Sequence, residues 1–579
     1  MKTTAFRGSF LRWLMILTLT WRFDAGAATE GTNDPIARIR EEGMNHSQAM
    51  ETLDYLSDVI GPRLTGSPNM KRANEWTRDK LKSWGLSNAH LEAWGPFGRG
   101  WSLERFSAQV IEPQDIPLKA FPAAWSPGFE KPLEARVVFI DTTNVSELDK
   151  YAGKLKGAIV LPSPLREPLS HTNALARRLE DKDLLELADA GPPSGNRRRE
   201  FGGSGGGTNR DGGTNAPPRR GRRGPTWTRF LPFFIKEGVA LVAIPGTSDM
   251  GVFVTQSASV PGPDRGTNDA PPVFGGPPRP QAYWTNAPAI PAQMTVAAED
   301  YDRMVRMIKL GEKLKMAVDL RVKFYSNDVM AYNTVAEIPG SDLKDEVVML
   351  GGHMDSWHAG TGATDNGVGV AAAMEAVRII KALDLKPRRT IRVALWSGEE
   401  EGLYGSKAYV TKHFGYVTNL SGSNEVASAR GGDDPAGGTN STNETKRTLV
   451  KNSEYDQMSA YFNLDNGAGK IRGVYMQGNE AVRPYFRKWL APFRDLGAET
   501  LTPSNTGSTD HVSFDTVGLP GFQFIQDPLD YETVTHHTNQ DVYDRVSAED
   551  LKQAATIMAA FVYEAAMLDE KLPRKGVEL

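Results

Sequence analysis

From about residue 327 onward, short apolar runs alternate with stretches of helical period. Glu346-Val347-Val348-Met349-Leu350, Thr390 to Trp396, Tyr461-Phe462-Asn463-Leu464 and Gly521-Phe522-Gln523-Phe524-Ile525 read as buried strands. Val368 to Leu383 carries Ala, Met and Ile on one helical face, and another helix begins near Glu401. Ser547-x-x-Asp550 opens a C-terminal helix that buries Leu551, Met558, Phe561, Val562 and Leu568. Strands alternating with helices predict an α/β fold with an open, mostly parallel sheet covered on both faces.

Earlier in the chain the pattern differs. Residues 35–90 read as helices, one amphipathic from Glu51 to Ile60 and a second after Gly66-Ser67-Pro68 through Trp76, Leu81 and Trp84. The segment 115–324 is β-rich, with runs at Ala135–Ile140, Gly157–Leu161 and Val239–Ile244. Two Gly-, Pro-, Asn- and Arg-rich stretches at 191–226 and 260–287 interrupt it, and a third covers 420–446; all three read as loops rather than domains. At the start, Lys2, Arg7 and Arg12 precede the apolar run 13–21, and Ala25-Gly26-Ala27-Ala28 offers a cleavage site. Residues 1–27 therefore read as a signal peptide, too short to span a bilayer. The expected mature protein is exported, periplasmic or extracellular, without stable membrane insertion.

Composition narrows the chemistry. The chain has 579 residues, 67 Lys plus Arg against 71 Asp plus Glu, and no cysteine. Near-balanced charge gives no field that demands nucleic acid, and the Arg-rich tract between 197 and 223 reads as a solvated insert. Lack of cysteine excludes disulfides, thiolate nucleophiles and Cys-based zinc sites.

Five of the nine histidines fall in three short segments between 353 and 537, each after an expected strand, where open α/β sheets place their ligands. In His353-Met354-Asp355 the two side chains point the same way, so Asp355 can hold one ring nitrogen and leave the other for a metal. Asp365, in Thr364-Asp365-Asn366-Gly367, fits either a helix N-cap or a carboxylate shared by two cations. Glu399-Glu400-Glu401 places three acids at the mouth of a strand, where like charges need cations or protons between them. Asp465 follows the next strand, and Thr509-Asp510-His511 and His536-His537-Thr538-Asn539-Gln540-Asp541 come near the end. Nitrogen and oxygen donors alone suit zinc, with manganese or cobalt as further candidates.

The ordered set H-x-D, T-D-N-G-x-G, G-E-E-x-G-L-x-G-S, N-L-D and H-T-x-x-D resembles metallopeptidase family twenty-eight, the co-catalytic zinc exopeptidases. His353-Met354-Asp355-Ser356-Trp357 and Pro387-Arg388-Arg389-Thr390 are most similar to the plasma glutamate carboxypeptidase branch. The resemblance implies a three-layer αβα zinc-exopeptidase fold built from 35–114 and 325–570. It also implies an inserted protease-associated domain at 115–324, on the runs 156–160 and 237–240. It implies a centre in which Asp365 bridges two zinc ions, one also held by His353 and Asp465, the other by Glu400 and His537. Glu399 is then the general base, Asp355 the partner of His353, and Asp541 is given no catalytic role. The expected substrate is a peptide or dipeptide with a free N-terminus. The alternatives are a glutaminyl cyclase-like acyltransferase and an inactive, receptor-like binding homologue. His358 departs from the branch pattern, which has an acid there, and reads as a solvated loop residue or a substrate contact.

Overall fold

The structure is a computed structural model that describes residues 34–167, 174–191, 226–262, 280–419 and 447–575. The expected signal peptide, the insert at 420–446 and most of those at 191–226 and 260–287 lie outside the described residues.

Eight strands form the sheet that carries the candidate chemistry. Their order is Ser87–Trp94, Ala331–Ile338, Arg389–Trp396, Leu343–His353, Met458–Asn463, Gly521–Gln526, Ile471–Tyr475 and Thr500–Thr502. Leu343–His353 runs parallel to both neighbours, and Met458–Asn463 runs parallel to Gly521–Gln526. Antiparallel pairings flank this parallel centre, so the sheet is mixed toward its edges. Side chains alternate across it. Val348 and Leu350 join the core under helices Val368–Ala382 and Ala548–Met567, while Val347 and Met349 join Tyr461 and Phe514 on the other face. That second face is covered by helices Tyr404–His413 and His511–Asp515. The layers are thus helix, sheet, helix.

Ser87–Trp94 is a strand where a helical reading had extended to residue 90. Helix Pro68–Ser83, capped by the Ser67 hydroxyl on the Met70 amide, stops at Trp84-Gly85, where Gly85 takes a left-handed geometry (φ +83°) that ends the helix. The chain then pairs antiparallel with Ala331–Ile338.

A second eight-stranded sheet occupies the middle of the sequence, with its own core of residues such as Val110, Ile159, Leu241, Met294 and Val318. Its longest pairing joins Gly100–Glu112 to Lys315–Tyr325, starting at Gly100↔Tyr325 and shifting register after Leu103 and after Val110. The expected boundary at 115 therefore moves forward to about Gly100, because the strand before it is hydrogen-bonded into this sheet along its length. Part of the 260–287 stretch is also packed: Tyr283 is buried and stacks on Phe97 at 4.6 Å.

Among the described residues the inserted unit meets the rest of the chain at several places, two of them on the segment 527–539. Arg177 N–H donates to the Leu529 carbonyl (3.0 Å), and Arg178 reaches Asp527 (2.9 Å) and Asp550 (2.7 Å). Val254 forms an antiparallel bridge with Thr538, and the Asn539 N–H donates to the Phe253 carbonyl (3.2 Å). His358 belongs to another contact with the inserted unit and is neither solvated nor free for substrate. It is buried between Trp101 and Phe121, and its Nε2–H donates to the Pro122 carbonyl (2.8 Å). No helix among the described residues is long and apolar enough to cross a membrane.

Candidate metal centre

The five residues expected to bind metal come together at the ends of the central strands. His353 is the last residue of its strand, and its Nε2 lies 3.3 Å from Asp365 Oδ1 and 3.2 Å from Asp465 Oδ1. The other Asp365 oxygen, Oδ2, lies 3.2 Å from His537 Nε2, which is in turn 3.0 Å from Glu400 Oε2. His536 stands further off, with Nε2 at 4.0 Å from Asp365 Oδ2. Side-chain exposure is 1% for His353, 3% for Glu400 and 4% for Asp365, but 24% for His537 and 36% for His536, so the site opens on the side of the two adjacent histidines.

Local packing makes this convergence tight. Gly369, in the first turn of helix Val368–Ala382, sits so close to the residue just past strand Met458–Asn463 that a Cβ there would lie 2.2 Å from the Leu464 carbonyl oxygen. Asn366 spans the same gap, donating to Leu464 O (2.9 Å) and accepting from Gly369 N–H (2.9 Å). The turn bearing Asp365 is thereby pressed against the chain that bears Asp465. Asp541 fixes it from the other side, accepting from Thr364 N–H (2.6 Å), the Thr364 hydroxyl (2.9 Å) and Asp365 N–H (3.2 Å). Burial, and then the charge of Asp365, push the Asp541 carboxyl up to about 7.

Asp355 supports the site differently from its expected role. The His353 Nδ1–H donates to the backbone carbonyl of Asp355 (3.0 Å), while the carboxylate is 3.7 Å away. The tautomer is still set with Nε2 free, but through the main chain. The Asp355 carboxylate accepts instead from the Thr65 hydroxyl and the Glu400 N–H, both at 3.2 Å, tying the acidic turn to the strand end.

Arg63, Thr65 and Gln256 were not singled out from the sequence. Arg63 is fully buried and donates to five carbonyls: Leu56 (3.2 Å), Gly61 (3.3 Å), Met354 (2.7 Å), Thr361 (2.8 Å) and Gly362 (2.6 Å). It joins the loops that carry Asp355 and Asp365. The only advance signal was an arginine inside the turn-forming Gly61-Pro62-Arg63 run. His511, by contrast, is spent elsewhere: its Nε2–H donates to the Thr506 carbonyl (3.1 Å).

The electrostatics favour a cation. Burial opposes charge on His353 and His537, yet Asp465 and Glu399 around the first, and Glu400 and Asp365 around the second, raise both rings well above the usual imidazole range. Burial raises Glu399 well above the carboxylate range, reinforced by Asp465, Asp510 and Glu400. Burial also lifts Glu400 to about 7, with Asp365 adding to it. Asp365 Oδ2 and Glu400 Oε1 are buried without a hydrogen-bond donor, and such oxygens are costly unless a cation meets them. Donor atoms of His353, Asp365 and Glu400 lie within 4.8 Å of one another, as do those of Asp365, His536 and His537. Two imidazoles and a set of carboxylates fit zinc.

The family model for peptidase family M28 matches residues 333–562, the stretch that holds every one of these donors. Residues 333–562 belong to peptidase family M28. The chain is accordingly a metallo-exopeptidase hydrolase. Over 542 residues the chain is 25% identical to carboxypeptidase Q of Bos taurus, covering 93% of this chain and 89% of that one. It is 26% identical over 258 residues to aminopeptidase YwaD of Bacillus subtilis, covering 44% and 48%. A crystal structure of a peptidase M28 precursor from Shewanella amazonensis shares the fold, with a TM-score of 0.59 at 22% identity over 93% of this chain and 98% of that one. The family match agrees with the layered α/β architecture of the M28 domain.

Proposed function

We propose that this chain is an exported zinc-dependent aminopeptidase or dipeptidase, cutting next to a free N-terminus at a centre of two zinc ions. The observation that carries the reading is Asp365, whose two oxygens face different histidines: Oδ1 toward His353 and Oδ2 toward His537. His353, Asp465 and Asp365 would hold one ion, and Glu400, His537 and Asp365 the other. Zinc bound there supplies a Lewis acid that acidifies water and polarises a peptide carbonyl. Glu399, whose proton affinity is raised by burial among acids, accepts the proton of the attacking water and returns it to the departing amine. Asp355 and Asp541 hold the two turns in place through backbone N–H groups. The carboxylates gathered around the centre favour a substrate ammonium.

The relatives include a carboxypeptidase by name and an aminopeptidase by name. A dipeptide has one bond that adjoins both an α-amine and an α-carboxylate, so dipeptides are the first substrates to try. The test is hydrolysis of a dipeptide panel by the zinc-supplied protein, each substrate run free and N-acetylated, with Glu399→Gln as control. Cleavage confined to free amines and lost in the control is the expected result. Uncleaved dipeptides with folded, zinc-loaded protein would overturn the reading.

A further inference from the structure

We infer that Gln256, contributed by the inserted unit, is a positioning residue for the metal centre: its side-chain amide orients the His537 imidazole from behind. The inference rests on the reading of His537 as a metal ligand. The Gln256 amide nitrogen lies 3.0 Å from His537 Nδ1, on the edge of the ring opposite the Nε2 that faces Asp365 and Glu400. A histidine that gives one nitrogen to a metal holds its orientation through a hydrogen bond at the other. His353 obtains that bond from the Asp355 carbonyl, inside the M28 domain. His537 obtains it from a different part of the chain.

Three further features place Gln256 there. The Val254–Thr538 bridge sets the register of the two segments, and the Thr255 N–H donates to the His537 carbonyl (3.4 Å). Phe253 N–H donates to Asn539 Oδ1 (2.9 Å), so both flanks of His537 are pinned by residues 253–255. His537 itself adopts a left-handed backbone (φ +60°), which a side chain with a Cβ resists and which surrounding contacts must hold. Two other rings flank the imidazole. Trp357 meets it edge-on at 6.3 Å, and His536 lies 3.8 Å away, centre to centre. These contacts restrain the tilt of the ring, and the hydrogen bond between His537 Nδ1 and the Gln256 amide restrains its rotation.

Oxygen and nitrogen of a glutamine amide occupy the same footprint, and their assignment follows the hydrogen bond made. A metal on Nε2 leaves the proton of a neutral imidazole on Nδ1, so the amide then turns its oxygen toward His537 as acceptor. The substitution Gln256→Glu preserves that acceptor, whereas Gln256→Leu keeps the bulk and removes it. Gln256 is exposed at the mouth of the site, so neither change threatens the core.

The experiment is cobalt(II) titration of the metal-free, full-length mature protein against a competing chelator, read by visible absorption. Wild type is compared with Gln256→Leu, Gln256→Glu and His537→Ala. Gln256→Leu is expected to weaken cobalt binding about 10- to 100-fold and alter the absorption band, with Gln256→Glu restoring both. Unchanged binding in Gln256→Leu beside strong loss in His537→Ala would overturn the role of Gln256 and leave the ligand assignment standing. Unchanged binding in both would overturn the assignment of His537 as a ligand, and the inference with it. Weakening in Gln256→Leu that Gln256→Glu does not restore would also count against the proposal, since it would show a loss of packing rather than of an acceptor.

Discussion

Replacing Arg63 by lysine keeps the charge and should nonetheless disable the site. The guanidinium donates to five main-chain carbonyls, three of which, Met354, Thr361 and Gly362, belong to the loops that carry Asp355 and Asp365. An ammonium has three donors and no planar fork, so at least two carbonyls lose their partner. Each buried polar group left unpaired costs about 1–3 kcal/mol, giving a local loss of about 2–6 kcal/mol. The lysine would also meet the burial that already pulls the arginine down to about 10, against the supporting charges of Asp541, Asp355 and Asp365. The assay is native-state amide exchange over residues 354–367, paired with cobalt affinity. A loss of 2 kcal/mol corresponds to protection falling about 30-fold, and cobalt affinity should fall with it. Unchanged protection and unchanged cobalt affinity in Arg63→Lys would refute the argument that these carbonyl bonds hold the loops together.

Three other outcomes are expected. His413 lies between Glu92 (2.8 Å) and Glu454 (2.9 Å); burial opposes its charge, but these bonds raise it from 6.5 to about 9. Its stabilising effect is complete below pH 6.5 and disappears as pH rises through about 9, so the melting-temperature gap between wild type and His413→Gln should be wide at pH 6 and close by pH 10. Gly369→Ala brings a Cβ to 2.2 Å from the Leu464 oxygen and should destabilise by about 1–3 kcal/mol while weakening metal binding, seen as lower melting temperature and zinc content; a fully loaded variant of normal stability would contradict the close-packing argument. His536→Ala should retain most of its zinc in a chelator competition whereas His537→Ala should not, because only His537 sits within 3.2 Å of both Asp365 and Glu400; the reverse order would exchange their roles.

The candidate donors were legible in the sequence because they combine unusual residue types with regular placement. His353, Glu399-Glu400 and Asp465 each stand just past an apolar run, and strand ends in an open α/β sheet point to one edge. His537 over His536 required the motif, since the two are adjacent and chemically identical; the distances now separate them. What stayed hidden depends on contacts far apart in the chain. Arg63 looks like any arginine in a Gly-Pro turn until the carbonyls of 354, 361 and 362 arrive around it. His358 looks like a loop residue until Pro122, Trp101 and Phe121 enclose it. The strand Gly100–Glu112 was assigned to the wrong unit because its partner lies some two hundred residues later.

The double grip of the inserted unit sets a rule for engineering and for descent by recombination. Residues 527–541 carry His537 and Asp541, and the insert holds them at Asp527–Leu529 through Arg177 and Arg178 and at Thr538–Asn539 through Phe253 and Val254. A cut at the two chain crossings would leave the hydrolytic half with the loop of the proposed ligand His537 stripped of its outer wall. A foreign insert could restore catalysis only by matching both footholds at once. The unit is therefore not a detachable accessory, and exchange between relatives should succeed when the loop and its clamp are transplanted together.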